Sequence, residues 1–327
     1  MKPSLDIIIV NWNAGEHLRR GLKSIAEAKK DGYELRRVVV VDNASSDGSV
    51  VGLQVVGVPL ELIRNTTNRG FAAACNQGAR ESTADYLLFL NPDVRLRENS
   101  LDVPIRFMEE PGNARVGICG IQLLEESGQV ARSTSWFPSS GTLLSQMLGL
   151  DRLFPSVFRG HFLTDSKHVE SGPVDQVIGA FLLIRGRLFA SLEGFDERFF
   201  MYWEDVDISY RARMSGWHSY YLAEVQAHHK GNASSDQVKP ARLFYTLRSR
   251  ILYAQKHFSR AGAGLVTFGS MFVEPVARCV RALCRGSVAS IKETLLGYAM
   301  LWRVLPGLVS GRKPEIRSTA VMSGSEL

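Results

Sequence analysis

The 327-residue chain lacks several features that define particular classes of protein. It has four cysteines with no C-x-x-C pair and no regular spacing, so neither a structural zinc site nor a disulfide framework is indicated. Such cysteine usage is typical of a reducing compartment. No stretch reaches the ~18 consecutive uncharged apolar residues of a membrane-spanning helix. The apolar run at residues 7–10 is too short for the core of a signal peptide, and we therefore expect a cytoplasmic protein.

Positive charge is scarce over most of the chain and is concentrated near its end. Residues 1–238 contain 25 Lys and Arg against 29 Asp and Glu, whereas residues 239–327 contain 14 against 4. The net charge of +6 therefore comes from the C-terminal part. Apolar segments alternate with the basic ones there, which favours an anionic membrane surface over nucleic acid as a partner.

What the chain does have is a regular alternation of strand-like and helix-like segments. Nearly continuous apolar runs at residues 5–10, 38–41, 60–63 and 86–90 predict strands. Leu18, Leu22 and Ile25 recur at helical spacing, and residues 71–80 predict a second helix. Buried strands that alternate with helices are typical of an α/β protein with a parallel sheet covered on both faces.

Each predicted strand ends in polar residues. Ligands of such sheets bind outside the carboxyl ends of the strands, so these residues indicate where a site lies. One strand end of this kind is equally consistent with a turn, but four together favour a binding site. The four are Asn11-Trp12-Asn13, Asp42-Asn43, residues 65–70 and Asn91-Pro92-Asp93.

The pattern changes twice further along the chain. From about Gly120 it is irregular, and we interpret residues 133–140 and 154–172 as a variable, substrate-facing region. Residues 174–184 predict a strand, and the chain after Pro240 is helical in pattern. We predict an α/β domain over residues 1–240, an amphipathic helical extension over 241–309 and a disordered tail over 310–327. Ordinary packing against the α/β domain is the alternative for the extension.

Candidate acid–base chemistry lies in the stretch F-F-M-Y-W-E-D-V-D at residues 199–207. Five apolar residues precede Glu204, Asp205 and Asp207, and they predict a desolvated pocket in which a carboxyl pKa rises toward that of a general base. A helix beginning at Glu204 would let Asp207 pair with Arg211. A charged helix N-terminus without catalytic function is the alternative.

Candidate metal chemistry lies at the end of the fourth predicted strand. Asp93 is placed to hold a divalent cation, Mg²⁺ or Mn²⁺, that would bridge a diphosphate and stabilise it as a leaving group. N-P-D is also a common turn sequence. His228 and His229 follow a strand-like segment and are candidates for a second ligand, and the residues themselves do not decide between them.

Taken together, the motifs resemble those of the family 2 glycosyltransferases, in particular the rhamnosyltransferase-like branch. The resemblance covers residues 5 to about 258, and as an ordered set the motifs are highly specific. They are I-I-I-V-N-W-N at 7–13, V-V-V-V-D-N-A-S-S-D-G-S at 38–49, N-R-G-F-A-A-A-C-N-Q-G at 68–78, F-L-N-P-D at 89–93, E-G-F-D-E at 193–197 and F-F-M-Y-W-E-D-V-D-I-S-Y-R at 199–211.

The resemblance implies a GT-A fold in residues 1–240, a mixed and mostly parallel sheet flanked by helices. It also implies inverting transfer of a sugar from a nucleotide diphosphate donor with a divalent metal. Asp42 resembles the acid that binds the nucleoside base, with Asn11 and Asn13 beside the same pocket. The loop that closes on the nucleotide corresponds to Asn68, Arg69 and Gly70.

The resemblance places the reaction centre on the remaining motifs. Asn91 and Asp93 correspond to the two ends of the family's D-x-D metal motif. Asp205 corresponds to the catalytic base, and Glu204 to a neighbouring contact with acceptor or donor. His228 corresponds to the late metal-binding histidine, with His229 as second choice.

The chain departs from the family pattern at two places. Asn91 replaces the first acid of D-x-D, which would leave the metal to Asp93 and a histidine. Glu193-Gly194 replaces a Gly-Gly pair near the acceptor loop.

The predicted function is transfer of rhamnose from dTDP-rhamnose to a hydroxyl of a glycan or lipid-linked glycan. The reaction would belong to the synthesis of cell-surface (cell-wall) polysaccharide. We expect the enzyme to be peripheral to the inner face of the cell membrane. UDP-sugar transfer and a non-catalytic membrane-surface module are the alternatives. A dehydrogenase is disfavoured because residues 11–15 contain a single glycine instead of G-x-G-x-x-G.

Overall fold

The computed structural model describes residues 1–158, 160, 168–231 and 239–309. The predicted tail and part of the irregular segment at 154–172 lie outside the described residues. The strands are β1 (Ser4–Asn11), β2 (Glu34–Asp42), β3 (Leu60–Arg64), β4 (Tyr86–Leu90), β5 (Val94–Leu96), β6 (Val116–Leu124), β7 (Thr134–Ser135), β8 (Gly172–Val174), β9 (Gln176–Val177), β10 (Phe181–Arg185) and β11 (His218–His229).

The helices are α1 (Glu16–Glu27), α2 (Phe71–Ala79), α3 (Asp102–Glu109), α4 (Ser140–Leu148), α5 (Leu150–Leu153), α6 (Gly186–Ser191), α7 (Glu204–Met214), α8 (Lys239–His257), α9 (Arg260–Phe268), α10 (Glu274–Cys284) and α11 (Val288–Val309). A short 3₁₀ helix (Pro111–Asn113) follows α3, and a π-helical turn (Gly269–Val273) joins α9 to α10.

The described residues form two compact units. The first contains residues 1–137, 168–197 and 204–231, and the second contains 138–158, 160, 198–203 and 239–309. The predicted C-terminal extension therefore supplies most of the second unit, and two earlier segments of the chain join it.

The first unit is built on a nine-stranded mixed sheet in the order β3-β2-β1-β4-β10-β6-β11-β5, with β8 also paired to β11. Strands β3, β2, β1 and β4 run parallel, as does the β6–β11 pair. Strand β10 runs antiparallel between β4 and β6. The sheet is therefore mixed, as the resemblance implied.

The sheet core explains why the central stretches of the parallel strands are apolar. Ile7 and Ile9 of β1 pack on the face covered by α1 and α3, while Ile8 and Val10 pack on the face covered by α2, α6 and α7. Because side chains alternate along a strand, a strand buried on both faces needs apolar residues at every position. Gly78 lets α2 approach closely, since a Cβ there would lie 2.7 Å from Ile8 Cγ2.

The prediction of one continuous strand over residues 174–184 was wrong. The chain forms three short strands there: β8, β9 paired with β7, and β10. Asp175 separates the first two, and Gly179 lies in the link to β10. An apolar run without periodicity does not show where a strand changes partner.

The second unit is helical. Phe244 and Ile251 of α8 pack with Tyr298 and Leu301 of α11 in its largest apolar cluster. Helices α9 and α10 and the π turn form one continuous helix of 25 residues with mean hydropathy 1.2. By length and composition alone it is long and apolar enough to cross a membrane, although about a third of its apolar window is buried inside the unit.

Candidate active site

A buried polar network lies at the carboxyl ends of β1 and β2. The Asn11 side chain is fully buried, and its Nδ2 donates to Asp42 Oδ1 at 2.9 Å and to Ser49 Oγ at 2.9 Å. Ser45 Oγ donates to the same Asp42 oxygen at 2.5 Å. Among the described residues, Asn11 Oδ1 has no hydrogen-bond partner. The network therefore fixes the Asp42 carboxylate and leaves a buried acceptor beside it.

Asn13 shapes the loop that covers this network. Its backbone is left-handed, with φ of 50°, a conformation that Asn tolerates better than most residues. Its N–H donates to Ser45 Oγ at 3.0 Å, and its Oδ1 accepts from the Ser46 N–H at 2.8 Å. The structure therefore brings Asn11, Asn13 and Asp42 together at one strand edge.

Asn43 orders the loop at residues 65–70, and the sequence analysis missed it as a functional residue. Its Nδ2 donates to Asn68 Oδ1 at 2.9 Å and to the Gly70 carbonyl at 3.1 Å. Its Oδ1 accepts from Asn65 Nδ2 at 3.0 Å and from the Arg69 N–H at 3.1 Å. The loop that contains the candidates Asn68, Arg69 and Gly70 is thus tied to the end of β2. The available signal was an Asn directly after Asp42.

The end of β4 meets the link before β10. The Asn91 N–H donates to the Ala180 carbonyl at 3.0 Å, and the Asn91 carbonyl accepts from the Val94 N–H at 3.2 Å in a turn. This turn directs Asp93, which is 8% exposed, toward the end of β11. Asp93 Oδ1 lies 3.4 Å from His229 Nε2. Burial disfavours the ionised carboxylate, but His229 outweighs it and holds the pKa of Asp93 below its usual value.

The two candidate histidines differ in their surroundings. His229 lies beside Asp93, whereas His228 Nε2 lies 3.3 Å from the Arg97 guanidinium. Burial and the charges of Arg97 and Arg95 lower the pKa of His228. Neighbouring guanidinium groups also repel a metal cation. The structure thus places His229, the second choice of the sequence analysis, beside Asp93, and His228 beside Arg97.

Another histidine, which the sequence analysis did not single out, approaches this corner. His17 of α1 places its Nε2 3.1 Å from Lys230 Nζ, directly after β11. Its charge also contributes to the lowered pKa of Asp93. No sequence motif marked His17, because a lone histidine near a helix start is common.

The two carboxyl groups at the start of α7 are held in different ways. Asp205 Oδ2 accepts from the Gly179 N–H at 2.9 Å and Oδ1 accepts from the Val206 N–H at 2.8 Å. Gly179 precedes Ala180, the partner of Asn91, so two residues link Asp205 to the end of β4. Burial raises the pKa of Asp205 despite these two N–H donors. Asp205 is therefore a carboxyl group in fixed orientation with an enhanced affinity for a proton.

Glu204 is more deeply buried, at 5% exposed, and its Oε2 has no hydrogen-bond partner among the described residues. Burial, and next the charge of Asp205, raises the pKa of Glu204 well above its usual value. Asp207 is fully buried and accepts from Arg211 Nε at 2.8 Å, the pairing that the sequence indicated.

Replacing Glu204 by Gln is expected to weaken the decline of thermal stability with rising pH. In the unfolded chain a Glu ionises near pH 4.3, whereas folded Glu204 keeps its proton. The unfolded state then binds fewer protons, so the free energy of unfolding falls above about pH 4.3, by about 1.4 kcal/mol per pH unit at most. Gln carries no such proton. Melting temperatures from pH 5 to 8 measure the difference.

The matched control for that variant is Glu81→Gln, an exposed carboxyl on the same unit. It should follow the wild-type pH dependence. If the melting temperatures of wild type and Glu204→Gln changed with pH in the same way from pH 5 to 8, the elevated pKa of Glu204 would be contradicted.

The aromatic residues ahead of Glu204 belong to the second unit. Phe200 stacks on Tyr245 of α8 with ring centroids 4.5 Å apart, and Trp203 contacts Tyr253 at 5.2 Å. We expected these residues to form the wall of the carboxylate pocket, and the contacts described for them lie within the second unit. Tyr202 and Trp203 are both left-handed, with φ of 68° and 72°. Consecutive non-glycine residues in this region of φ and ψ are strained.

The turn at residues 192–197, where the family pattern has Gly-Gly, is fixed from two sides. Asn76 Oδ1 accepts from the Phe195 N–H at 2.9 Å, and Asn76 Nδ2 donates to the Phe195 carbonyl at 2.8 Å. Arg211 donates to the Gly194 carbonyl at 2.8 Å. Glu193 adopts a left-handed φ of 57°, the conformation that glycine would favour. The substitution therefore keeps the turn, at some cost in backbone strain.

The residues at the end of β4 are compatible with a divalent cation. Two ligands on one ion at ~2.1 Å lie about 3 Å apart, close to the observed 3.4 Å between Asp93 Oδ1 and His229 Nε2. His229 Nε2 is buried and lacks a well-directed hydrogen bond among the described residues. No three His, Cys, Asp or Glu side chains converge within the described part of the chain. The protein would therefore supply two ligands, and the remainder would come from diphosphate and water, as is usual for Mg²⁺.

The structure thus brings the candidates to one edge of the sheet. Asn11, Asn13 and Asp42 lie at the ends of β1 and β2, the 68–70 loop is tied to them by Asn43, and Asn91, Asp93 and His229 lie at the end of β4. Asp205 joins them through Gly179 and Ala180. His228 is the candidate that does not join this group.

Comparison with known proteins gives matches over most of the chain. Residues 6–158 match the family model described as glycosyl transferase family 2. An N-acetylglucosaminyl-diphospho-decaprenol L-rhamnosyltransferase of Mycobacterium tuberculosis is 28% identical over 72% of this chain and 78% of its own length. The rhamnosyltransferase WbbL of Escherichia coli is 29% identical over 68% of this chain and 82% of its own.

A solved structure gives the same architecture. The mannosyltransferase PcManGT from Pyrobaculum calidifontis, in complex with GDP-Man and Mn²⁺, superimposes with a TM-score of 0.56. The match covers 97% of this chain and 89% of that one at 17% sequence identity. This similarity concerns the fold alone, and it confirms the GT-A fold expected from the sequence.

Proposed function

We propose that this chain, which matches the model of glycosyl transferase family 2 over residues 6–158, is a rhamnosyltransferase of that family. Its donor is dTDP-rhamnose, and its acceptor is a hydroxyl of a glycan or lipid-linked glycan. Support for the sugar comes from the relatives that are named rhamnosyltransferases. Support for the lipid-linked acceptor comes from the decaprenol-linked substrate in the name of one of them.

One observation carries the proposal: the candidate nucleotide-binding residues and the candidate base lie at the same edge of the sheet. Asn11 and Asp42 lie at the ends of parallel strands, where ligands of open α/β sheets bind. The link through Ala180 and Gly179 holds Asp205 to the end of β4, beside the turn that leads to Asp93. A donor lying along this edge would have its base near Asp42 and its diphosphate near Asp93.

Asp42 would recognise the nucleoside base. Its carboxylate is fixed by Asn11 and Ser45, so it offers an acceptor of defined direction to an N–H of the base. Asn11 Oδ1 adds a second buried acceptor. The loop at 68–70, held by Asn43, would then close over the nucleotide, with Arg69 supplying positive charge.

Asp93 and His229 would hold the divalent cation at the diphosphate. Mg²⁺ or Mn²⁺ supplies Lewis-acid neutralisation of the charge that the leaving nucleoside diphosphate develops. The lowered pKa of Asp93 keeps its carboxylate ionised at neutral pH, ready for a hard cation. Lys230, which follows His229, places a further positive charge near this corner.

Asp205 would act as the general base. Its raised pKa gives it the proton affinity that removal of an acceptor hydroxyl proton needs, and its two N–H donors fix its direction. The acceptor oxygen then attacks the anomeric carbon while the diphosphate leaves from the opposite face. Attack and departure on opposite faces invert the anomeric configuration, and a carboxylate near the carbon also stabilises its positive charge.

Calorimetric titration of the purified chain tests the donor. With Mg²⁺ or Mn²⁺ present, dTDP-rhamnose is expected to bind, and a chelator should weaken that binding because the diphosphate then faces Asp93 without a counter-ion. UDP-glucose and UDP-galactose serve as matched competitors. If a UDP-sugar bound more tightly than dTDP-rhamnose, the donor would belong to the UDP-sugars instead. A folded protein that binds none of the three would contradict the assignment.

A further inference from the structure

Helices α9 and α10, with the π turn between them, present a continuous stripe of large apolar side chains to solvent. Six of them recur three or four residues apart, and each is between 53% and 67% exposed. The other side of the same helix packs into the second unit through Val266, Met271 and Ala282. Soluble surfaces rarely expose so many contiguous apolar residues without a partner. The stripe consists of Leu265, Phe268, Phe272, Val276, Val280 and Leu283.

A cluster of arginines lies beside the C-terminal end of the stripe. Arg281 is close to Arg152, Arg278 and Arg285, and burial followed by repulsion from these three lowers its pKa. Two acids lie nearby: Asp151, and Glu274, which is 5% exposed and pairs with Arg250 and Arg278. The arginines outnumber these acids, and an excess of positive charge next to an apolar stripe matches a surface that is apolar inside and anionic outside.

We propose that the stripe and the arginine cluster dock the second unit on an anionic lipid bilayer, with the helix from α9 to α10 lying in the plane of the interface. The apolar side chains would enter the boundary between head groups and acyl chains, while the arginines bind lipid phosphates. The inference deepens the proposed function and rests on it for the lipid-linked acceptor, which such a surface would bring within reach.

The packing of this helix favours lying on the membrane over crossing it. Glu274 lies in the middle of the helix and pairs with Arg250 of α8 and with Arg278. Crossing would separate Glu274 from Arg250 and would carry the Glu274–Arg278 pair into hydrocarbon, which is strongly unfavourable. About a third of the apolar window is already covered inside the unit.

The charge also argues against a second copy of the chain as the occupant. A symmetric dimer through the stripe would use the same patch on both subunits. Each copy would bring an arginine cluster into the interface, whereas Glu274, the one acid of residues 260–284, is buried and already paired. Positive charge without a counter-charge at an interface opposes association. An anionic bilayer instead provides the missing counter-charge.

The test is cosedimentation of the full chain with vesicles of phosphatidylcholine alone or mixed with phosphatidylglycerol. Wild type should bind the mixed vesicles and bind the neutral ones at least about tenfold less. Phe268→Glu/Phe272→Glu and, separately, Arg281→Gln/Arg285→Gln should each lower the bound-to-free ratio at least about tenfold. Val276→Glu/Val280→Glu gives an independent test of the stripe if the first pair fails to fold.

Matched controls come from exposed residues of the first unit. Val51→Glu/Val56→Glu introduces the same charge at apolar positions 67% and 97% exposed, and Arg20→Gln/Arg80→Gln removes the same charge. Both control pairs should bind vesicles as the wild type does. Donor titration on every variant separates this inference from the proposed function, because docking variants should bind donor normally.

Three results would overturn the inference. One is vesicle binding by folded stripe variants equal to the wild type. Another is equal binding of the wild type to neutral and anionic vesicles. The last is a dimeric wild type that the stripe variants convert to monomer, which would make the stripe an interface between copies. Loss of donor binding with vesicle binding retained would instead reject the proposed function and leave docking supported.

Discussion

Replacing Asp205 by Asn is expected to lower turnover at least ~100-fold while donor binding stays nearly unchanged. Asn is almost the same shape, so the Gly179 N–H keeps a side-chain oxygen to bind. The Asn side chain cannot take the proton from the acceptor hydroxyl. We therefore expect only the rate of the chemical step to fall. Initial-rate kinetics with saturating donor, together with calorimetric donor affinity, measure the two effects separately.

The control for this variant is Asp31→Asn, an exposed carboxyl in the loop before β2, at the opposite edge of the sheet from the candidate site. It should leave turnover unchanged. The pH profile offers a further check. Wild-type turnover should rise as Asp205 loses its proton, at a pH above the ~3.9 of an ordinary Asp, because burial raises its pKa. Unchanged turnover in Asp205→Asn would remove Asp205 from the role of base.

The metal site gives the second large effect. In the presence of Mg²⁺ or Mn²⁺, Asp93→Ala is expected to bind the donor at least about tenfold more weakly than wild type does. Its donor affinity should equal that of wild type in the presence of chelator. The variant removes the carboxylate that lies 3.4 Å from His229 Nε2 and thus half of the ligand pair. Titration with and without metal, on the wild type and the variant, measures the loss directly.

The two histidines provide an internal comparison for this prediction. His229→Ala should weaken metal-dependent donor binding more than His228→Ala, because His229 faces Asp93 and His228 faces the Arg97 guanidinium. If metal strengthened donor binding to Asp93→Ala as much as it does for wild type, Asp93 would not be a metal ligand. A larger effect at His228 would contradict the orientation that the structure gives to β11.

The parallel part of the fold could be predicted from the sequence because each element has a local signal. The central stretches of β1 and β2, residues 7–10 and 38–41, and most of β4 are apolar, as strand segments buried on both faces must be. Helix α7 begins at Glu204, where acids follow an apolar run. The apolar run at 174–184 indicated a strand but not the antiparallel place of β10 between β4 and β6, because that place depends on partners far away in the chain.

The candidate site could be predicted less completely. Polar residues at strand ends located Asn11, Asp42 and Asp93, since the carboxyl edge of the sheet collects them. The function of Asn43 depends on four contacts to a loop more than twenty residues away, and nothing local encodes them. Likewise, aromatic residues ahead of Asp205 indicate burial but not the partner, and the structure places them against α8.

The irregularity in β11 decides which histidine faces Asp93. Leu222 pairs with Ile121 and Gln226 pairs with Gln122, so β11 has three more residues than β6 over that interval. Side chains alternate along a strand, and an odd insertion exchanges its two faces. Deleting one residue at 223–225, with the pairing before Leu222 unchanged, would move His229 into the place of His228 and Lys230 into the place of His229. During divergence the length of this segment is therefore constrained by the candidate metal site, whereas its residues are constrained by the burial of Ala223 and Val225.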